Sequence, residues 1–159
     1  SKISSTGASA FKLSRQNHFF GHWLKHGGQF PDKQLRIFAK GKGKFPNKHV
    51  HESLVIEGKI ETLNNPMKHY PYLTISQFLK KMDFYSTFEA SHLYEKGIRP
   101  SFGNSFKFLF FKPMSRFFRR WIIKGGFRDG IPGFFAAFFD GVGWMLRYFK
   151  LWEMSLKNE

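Results

Sequence analysis

The stretch TISQFLKKMDFYSTFEASHLYEKG, residues 74–97, decides the fold class. Thr74 and Gln77 form a capping box, because a hydroxyl at N-cap and an amide at N3 together satisfy two N–H groups that the first helical turn leaves open. Ile75, Phe78, Leu79, Met82 and Tyr85 follow at three- and four-residue spacing, which is one face of an α-helix. The helix can run to Lys96. Gly97 then supplies the left-handed stop, and Pro100 confirms the break.

Upstream of Thr74 the period changes to two. Leu35, Ile37 and Ala39 alternate with Arg36, Phe38 and Lys40, so Gln34 to Lys40 reads as a strand. Gly41 and Gly43 allow a turn. His49 to Ile56 reads as a second strand, Glu57-Gly58 as a two-residue hairpin turn, and Lys59 to Leu63 as the returning strand, ended by Asn64-Asn65-Pro66. Residues 1–10 are small and polar and read as a loop or a frayed start. From Phe11 to Lys25 the expectation is a short helix with Phe19, Phe20, Trp23 and Leu24 on one side. HGGQFPD, residues 26–32, is a loop because Gly27, Gly28 and Pro31 break regular structure.

Downstream of Pro100 the composition turns Phe-rich and basic. The spacing predicts a short helix, a break or kink at Pro113, and a helix from about Pro113 to Lys124. Gly125-Gly126 makes a turn, and a last helix starts at Pro132 and runs to about Lys157. That helix is apolar nearly all round, with Asp140 and Arg147 as exceptions, and Gly141 and Gly143 either weaken it or permit close packing. The expected class is α+β, a small antiparallel sheet with one long helix and C-terminal amphipathic helices. The expected division is 1–99 and 100–159.

At 159 residues the chain fits one domain, or one domain with a helical appendage. With 42% hydrophobic residues it has enough apolar surface for a packed core. The lack of cysteine excludes disulfides, a thiol nucleophile and Cys-ligated zinc from these residues. No run of 18 uninterrupted apolar residues occurs, and SKISSTGASAF does not read as a signal peptide. The first residue is Ser1, so the expectation is a chain that begins inside a longer protein.

The net charge of +15 favours an anionic partner, whether nucleic acid, anionic lipid or a diphosphate-bearing substrate. Between Glu95 and Asp129 there is no acidic residue, while Lys107, Lys112, Arg116, Arg119, Arg120, Lys124 and Arg128 alternate with Phe and Trp. Rings at the acyl boundary with cationic stems reaching lipid phosphates suit the surface of an anionic membrane. The same mixture stacks on single-stranded nucleic acid, so a non-catalytic basic module that binds nucleic acid or an anionic surface is the alternative. A purely structural domain that completes another chain is a third reading.

Chemistry-bearing residues are sparse. His22 and His26 are four apart, but Trp23 stands where a zinc-protease helix needs Glu. In His49-Val50-His51-Glu52 the two histidines share one strand face and Glu52 takes the other, so one divalent-ion ligand is available there but not a complete site. Asp32, after the Gly-Gly loop, is either a general base or a turn stabiliser. Arg36 either grips phosphate or faces solvent.

The strings NHFFGHWLKHGGQFPDKQLRIFAKGKGKF, VHESL and HYPYLTISQFLKKMDFYSTFEASHLYEKG, in that order from Asn17 onward, resemble the C-terminal half of bacterial family-2 glycosyltransferases, closest to those acting on the lipopolysaccharide core. The resemblance implies a partial GT-A-type fold and sugar transfer, with inversion, from a nucleotide-sugar to a lipid-linked or envelope-glycan acceptor. It also implies a divalent cofactor, Mg or Mn, and a peripheral place at the cytoplasmic face of the bacterial inner membrane, with nucleic acid not expected as a partner. By the same resemblance Asp32, Arg36 and Glu52 are catalytic, with Asp32 the base, and His51 is a metal ligand. Trp23, Gly27, Gly28 and Gln34 line the substrate site. The family's Asp-x-Asp metal motif does not occur in these residues, so this stretch alone is expected to be inactive.

Overall fold

A computed structural model describes residues 7–44 and 54–157. It is mixed α and β and divides into two units, residues 1–16 with 30–69 and residues 17–29 with 70–159. Residue 100, where the composition shifts, lies inside the second unit.

The first unit is built from strands. The start of β1 (Ala10–Phe19) pairs antiparallel with β3 (Asp32–Phe38), in register from Ala10↔Phe38 to Arg15↔Asp32. The register skips Arg36, which is the extra residue of a β-bulge. The strand expected over 34–40 is therefore present, shifted two residues toward the N-terminus. β4 (Gly43–Lys44) pairs with β5 (Val55–Ile56). His49, His51 and Glu52 lie outside the described residues.

Two expectations here are corrected. The hairpin at Glu57-Gly58 does not form, since β5 pairs with β4 while β6 (Ile60–Tyr72) pairs with β1. Gly58, at φ +117°, lies so close to Ser9 that a Cβ would collide with its side chain. That approach lets the Lys59 carbonyl accept from the Ser9 and Ala10 N–H groups, at 2.8 and 3.3 Å, and draws the chain onto β1. Asn64-Asn65-Pro66 does not end the strand either. Half-buried Glu61, Leu63, Met67 and His69 keep β6 on a period of two through it.

The short helix expected over 11–25 is also a strand. β1 turns at Phe20-Gly21, both with positive φ, into β2 (His22–Trp23), with Phe19 opposite His22. Two consecutive positive φ values make the type I′ geometry that matches strand twist. The helical reading grouped Phe19, Phe20, Trp23 and Leu24, which stand on both sides of this turn.

The second unit holds the helices. α1 (Ile75–Glu95) is capped as the sequence predicts: Gln77 N–H donates to Thr74 Oγ1 at 3.1 Å, and its amide oxygen accepts from Leu73 N–H at 2.9 Å. At the other end the N–H groups of Gly97 and Ile98 close back on Tyr94 and Leu93, a Schellman stop with Gly97 at φ +76°.

After Ser101, whose hydroxyl caps Asn104 N–H, come α2 (Phe102–Phe106), a π turn (Lys107–Phe111), α3 (Lys112–Phe118) and a second π turn (Arg119–Ile123). Of the break or kink expected at Pro113 no break occurs, and the helix instead widens into a π turn before it. Phe111 and Lys112 keep right-handed helical angles, and the widened turn before Pro113 absorbs its missing N–H. A 3-10 turn (Gly126–Asp129) leads into α4 (Gly130–Lys157), as expected.

α4 packs on both α1 and α3. One core cluster holds Ala90, Phe108, Tyr148 and Leu151; the other holds Phe19, Leu24 and Phe78 with Phe135 and Phe139 against them. Glycines set the closest approaches. A Cβ on Gly141 would sit 3.0 Å from the Pro113 carbonyl, and one on Gly133 would collide with the Gly126 carbonyl. Gly141 thus serves close packing, the second of the two roles expected for it.

Candidate functional site

Inside the second unit, one face of α1 (Phe78, Met82, Tyr85, Ser86, Glu89) and one face of α4 (Ala136, Phe139, Asp140, Gly143, Arg147) border an open hollow of about 230 Å³ with both polar and apolar walls, here called the polar hollow. Both sets follow the 3.6-residue period. Phe19, Gln29, Tyr72 and Arg120 complete the wall.

Asp140 is the electrostatic centre of this wall. Its Oδ2 accepts from Arg116 Nε at 2.7 Å and Arg120 Nε at 2.8 Å, and its Oδ1 accepts from Arg116 Nη2 at 3.2 Å. Burial alone pushes the Asp140 carboxyl upward, but the Arg116 hydrogen bond and the charges of Arg120 and Arg116 outweigh it and hold it below its ordinary value. Arg120 also donates to the Gly27 carbonyl at 3.0 Å. Arg147 donates to Gly143 O and to Glu89 Oε2 at 3.3 Å, and lies 4.0 Å from the Trp144 ring centre. Burial pushes its guanidinium below the ordinary value, against Glu89 and Asp140, which favour the charge. Burial also raises the Tyr72 phenol, and Tyr85 adds to the effect.

This wall offers ring faces beside charged groups whose partners hold them in fixed orientations. Such a surface suits a neutral polyhydroxyl ligand, which stacks on the rings and both donates and accepts hydrogen bonds.

The sequence-predicted residues fall in both units. In the first, Asp32 accepts from Arg15 Nε at 2.8 Å and from Gln34 Nε2 at 2.8 Å, so Asp32 and Gln34 are brought together. Arg36 is exposed at the bulge. In the second, Trp23 is half-buried, stacked with His18 at 6.5 Å, and has Lys25 Nζ 4.9 Å from its ring centre. Gly27 and Gly28 both have positive φ, and Gly27 is buried against the C-terminal helices, its N–H donating to Lys124 O at 2.9 Å. The loop is pinned further by Asp129, which accepts from both the backbone N–H and Nδ1 of His26 at 2.8 Å.

Among the described residues no three His, Asp or Glu side chains converge as metal ligands. His51, the expected ligand, lies outside them.

The sequence reading passed over Glu89, noted Asp140 and Arg147 only as exceptions, and counted Arg116 and Arg120 among the surface cations, whereas both are ion-paired with Asp140. A signal was present: Asp140 and Arg147 are seven residues apart, hence on one face of α4, and Arg116 and Arg120 are four apart.

A second hollow, apolar and about 430 Å³, lies between α3 and α4 and is lined by Phe110, Met114, Phe117, Phe134, Phe138 and Met145 among others. Trp121 meets Phe134 edge-on at 5.3 Å and stacks on Phe117 at 6.4 Å. No helix of the described residues is long and apolar enough to cross a membrane.

No family model and no solved structure matches the chain. It is 27% identical over 145 residues to a lipopolysaccharide core biosynthesis glycosyltransferase of Rhizobium meliloti, a match covering 90% of this chain and 52% of that protein. It is 32% identical over 139 residues to an uncharacterized glycosyltransferase of Rickettsia typhi, and 33% identical over 140 residues to one of Rickettsia bellii. Those two matches cover 80% and 79% of this chain and 45% of each relative. The chain thus spans about half the length of the curated relatives it matches. The homologues are glycosyltransferases, lipopolysaccharide core biosynthesis included.

Proposed function

We propose that this chain is the acceptor-handling part of a bacterial inverting glycosyltransferase of partial GT-A-type fold. It moves a sugar from a nucleotide-sugar to a lipid-linked or envelope-glycan acceptor, working peripherally at the cytoplasmic face of the inner membrane. The observation that carries this is the match of four-fifths or more of the chain to proteins named as glycosyltransferases, one of them in lipopolysaccharide core biosynthesis.

The polar hollow supports the acceptor side of the reading. Tyr72 and Phe139 offer ring faces to an acceptor sugar, while Asp140, Glu89 and Arg147 offer oriented acceptors and donors. Inverting transfer needs a base that takes the proton of the attacking hydroxyl, and Asp32 is the proposed base. Within the first unit its oxygens accept from Arg15 and Gln34. Exposed Arg36 is the proposed partner of the departing diphosphate, paired charge to charge. Glu52 and His51 keep their proposed roles outside the described residues. A divalent ion, Mg or Mn, belongs to the proposal as the cofactor. The exposed rings and cations of the C-terminal helices support the membrane surface as a partner.

The test is deletion of the gene in its host, followed by mass spectrometry of the envelope glycans. Loss of one sugar unit from a lipid-linked glycan, restored by the wild-type gene and not by Asp32→Asn, is the expected result. Unchanged glycans overturn the proposal.

A further inference from the structure

α4 carries an uncharged apolar stripe on one side. Ile131, Phe134 and Phe138 are 86%, 44% and 46% exposed, and Phe149, Trp152 and Leu156 are 48%, 51% and 54% exposed. Val142 and Met145 fill the interval and line the apolar hollow. The spacing is three or four residues throughout, so the stripe follows one helix face from end to end. Across the hollow, Phe106, Phe110 and Met114 are also more than half exposed. A soluble surface seldom leaves so much contiguous apolar area open.

Charge identifies what covers it. Lys107, Arg119, Lys124 and Arg128 are exposed on the same helical stretch, with no acid between Glu95 and Asp129. A second copy of this chain would set +15 against +15. Single-stranded nucleic acid meets the cations and can stack on the rings, but offers nothing to Ile131, Val142, Met145 and Leu156. An anionic bilayer meets both, with acyl chains for the stripe and phosphates for the cations.

We infer that the hollow between α3 and α4 is a seat for one acyl chain of an anionic bilayer lipid. The stripe lies in the membrane plane, and the chain enters between Phe110, Met114 and Phe138. This rests on the membrane-surface reading above and adds a defined lipid contact to it. Gly141 lets α4 approach Pro113, and both residues line the hollow beside the rings of Phe110, Phe117, Phe134 and Phe138.

The test uses the full chain with vesicles of phosphatidylcholine and phosphatidylglycerol whose phosphatidylglycerol carries a photoactivatable group in mid-chain. The expected result is co-sedimentation with cross-links at Phe110, Met114, Phe138 or Met145, the cross-links lost and the co-sedimentation kept in Val142→Trp, which fills the hollow. Co-sedimentation with cross-links confined to Ile131 and Leu156 overturns the seat and leaves the membrane reading standing. A failure to sediment, or a vesicle-free dimer that buries Phe110, overturns both. Circular dichroism melting checks that Val142→Trp is folded, and Met145→Trp serves if it is not.

Discussion

Asp32 and Asp140 are both carboxylates gripped by arginine, and they differ in what the grip accomplishes. Asp32 opens a strand and meets Arg15 of the facing strand, so its ion pair reinforces a register that backbone hydrogen bonds already set. Asp140 stands on a helix and holds two arginines, of which Arg120 continues to the Gly27 carbonyl. It therefore ties together segments that no backbone ladder joins. An acid in a ladder is an addition to the structure, whereas an acid at a junction of loop and helices is part of what makes the junction.

The largest expected effect follows directly. Asp140→Ala leaves Arg116 and Arg120 facing each other without a counter-charge in a half-buried wall, and should cost about 3 kcal/mol. Asp32→Ala leaves the Arg15 guanidinium and the Gln34 amide without that acceptor, but only one charge unpaired on a strand pair whose backbone bonds remain, and should cost about 1 kcal/mol. Urea unfolding of the two variants measures the gap. Equal losses would remove the distinction.

Next in size is the arginine side of each pair. Arg120→Met removes a partner of Asp140 and leaves the Gly27 carbonyl without that donor, and about 2 kcal/mol is expected. Arg15→Met removes one ion pair at a half-buried position and should cost about 1 kcal/mol. A double-mutant cycle of Asp140 with Arg120 should show coupling near 1 kcal/mol or more. No coupling would mean that Arg116 alone satisfies the carboxylate.

The same contrast explains what the sequence disclosed. α1 was legible from Thr74 to Gly97 because cap, periodicity and stop are all local. α4 was legible from its start, the Gly125-Gly126 turn followed by Pro132, and strand β3 nearly so from its alternation. β1 was misread because its turn uses Phe20 at positive φ, a residue that gives no turn signal. β6 was cut short because Asn64-Asn65-Pro66 reads as punctuation, while its pairing with β1 is a long-range fact. The site divides along the same line. Asp32 drew notice because it follows two glycines. Asp140 did not, because its partners lie 24 and 20 residues away, and only the packing of α3 and the π turn after it on α4 brings them within 3 Å.

The smallest expected effect is in acid, and it isolates Asp140 from every other carboxylate. The Arg116 hydrogen bond and the two guanidinium charges hold Asp140 below its ordinary value of 3.8 in the folded chain. A carboxyl depressed by folding adds stability that is fully present above its unfolded value and lost as pH falls through its folded one. The wild type should therefore lose more stability than Asp140→Asn between pH 5 and pH 3, even though the variant starts lower. Thermal melting of both proteins at the two pH values reads the difference. An equal acid loss in the two would show that the arginines gain nothing from the ionised form, and Asp140 would then hold the junction by hydrogen-bond geometry, as Asp32 reinforces its strand pair.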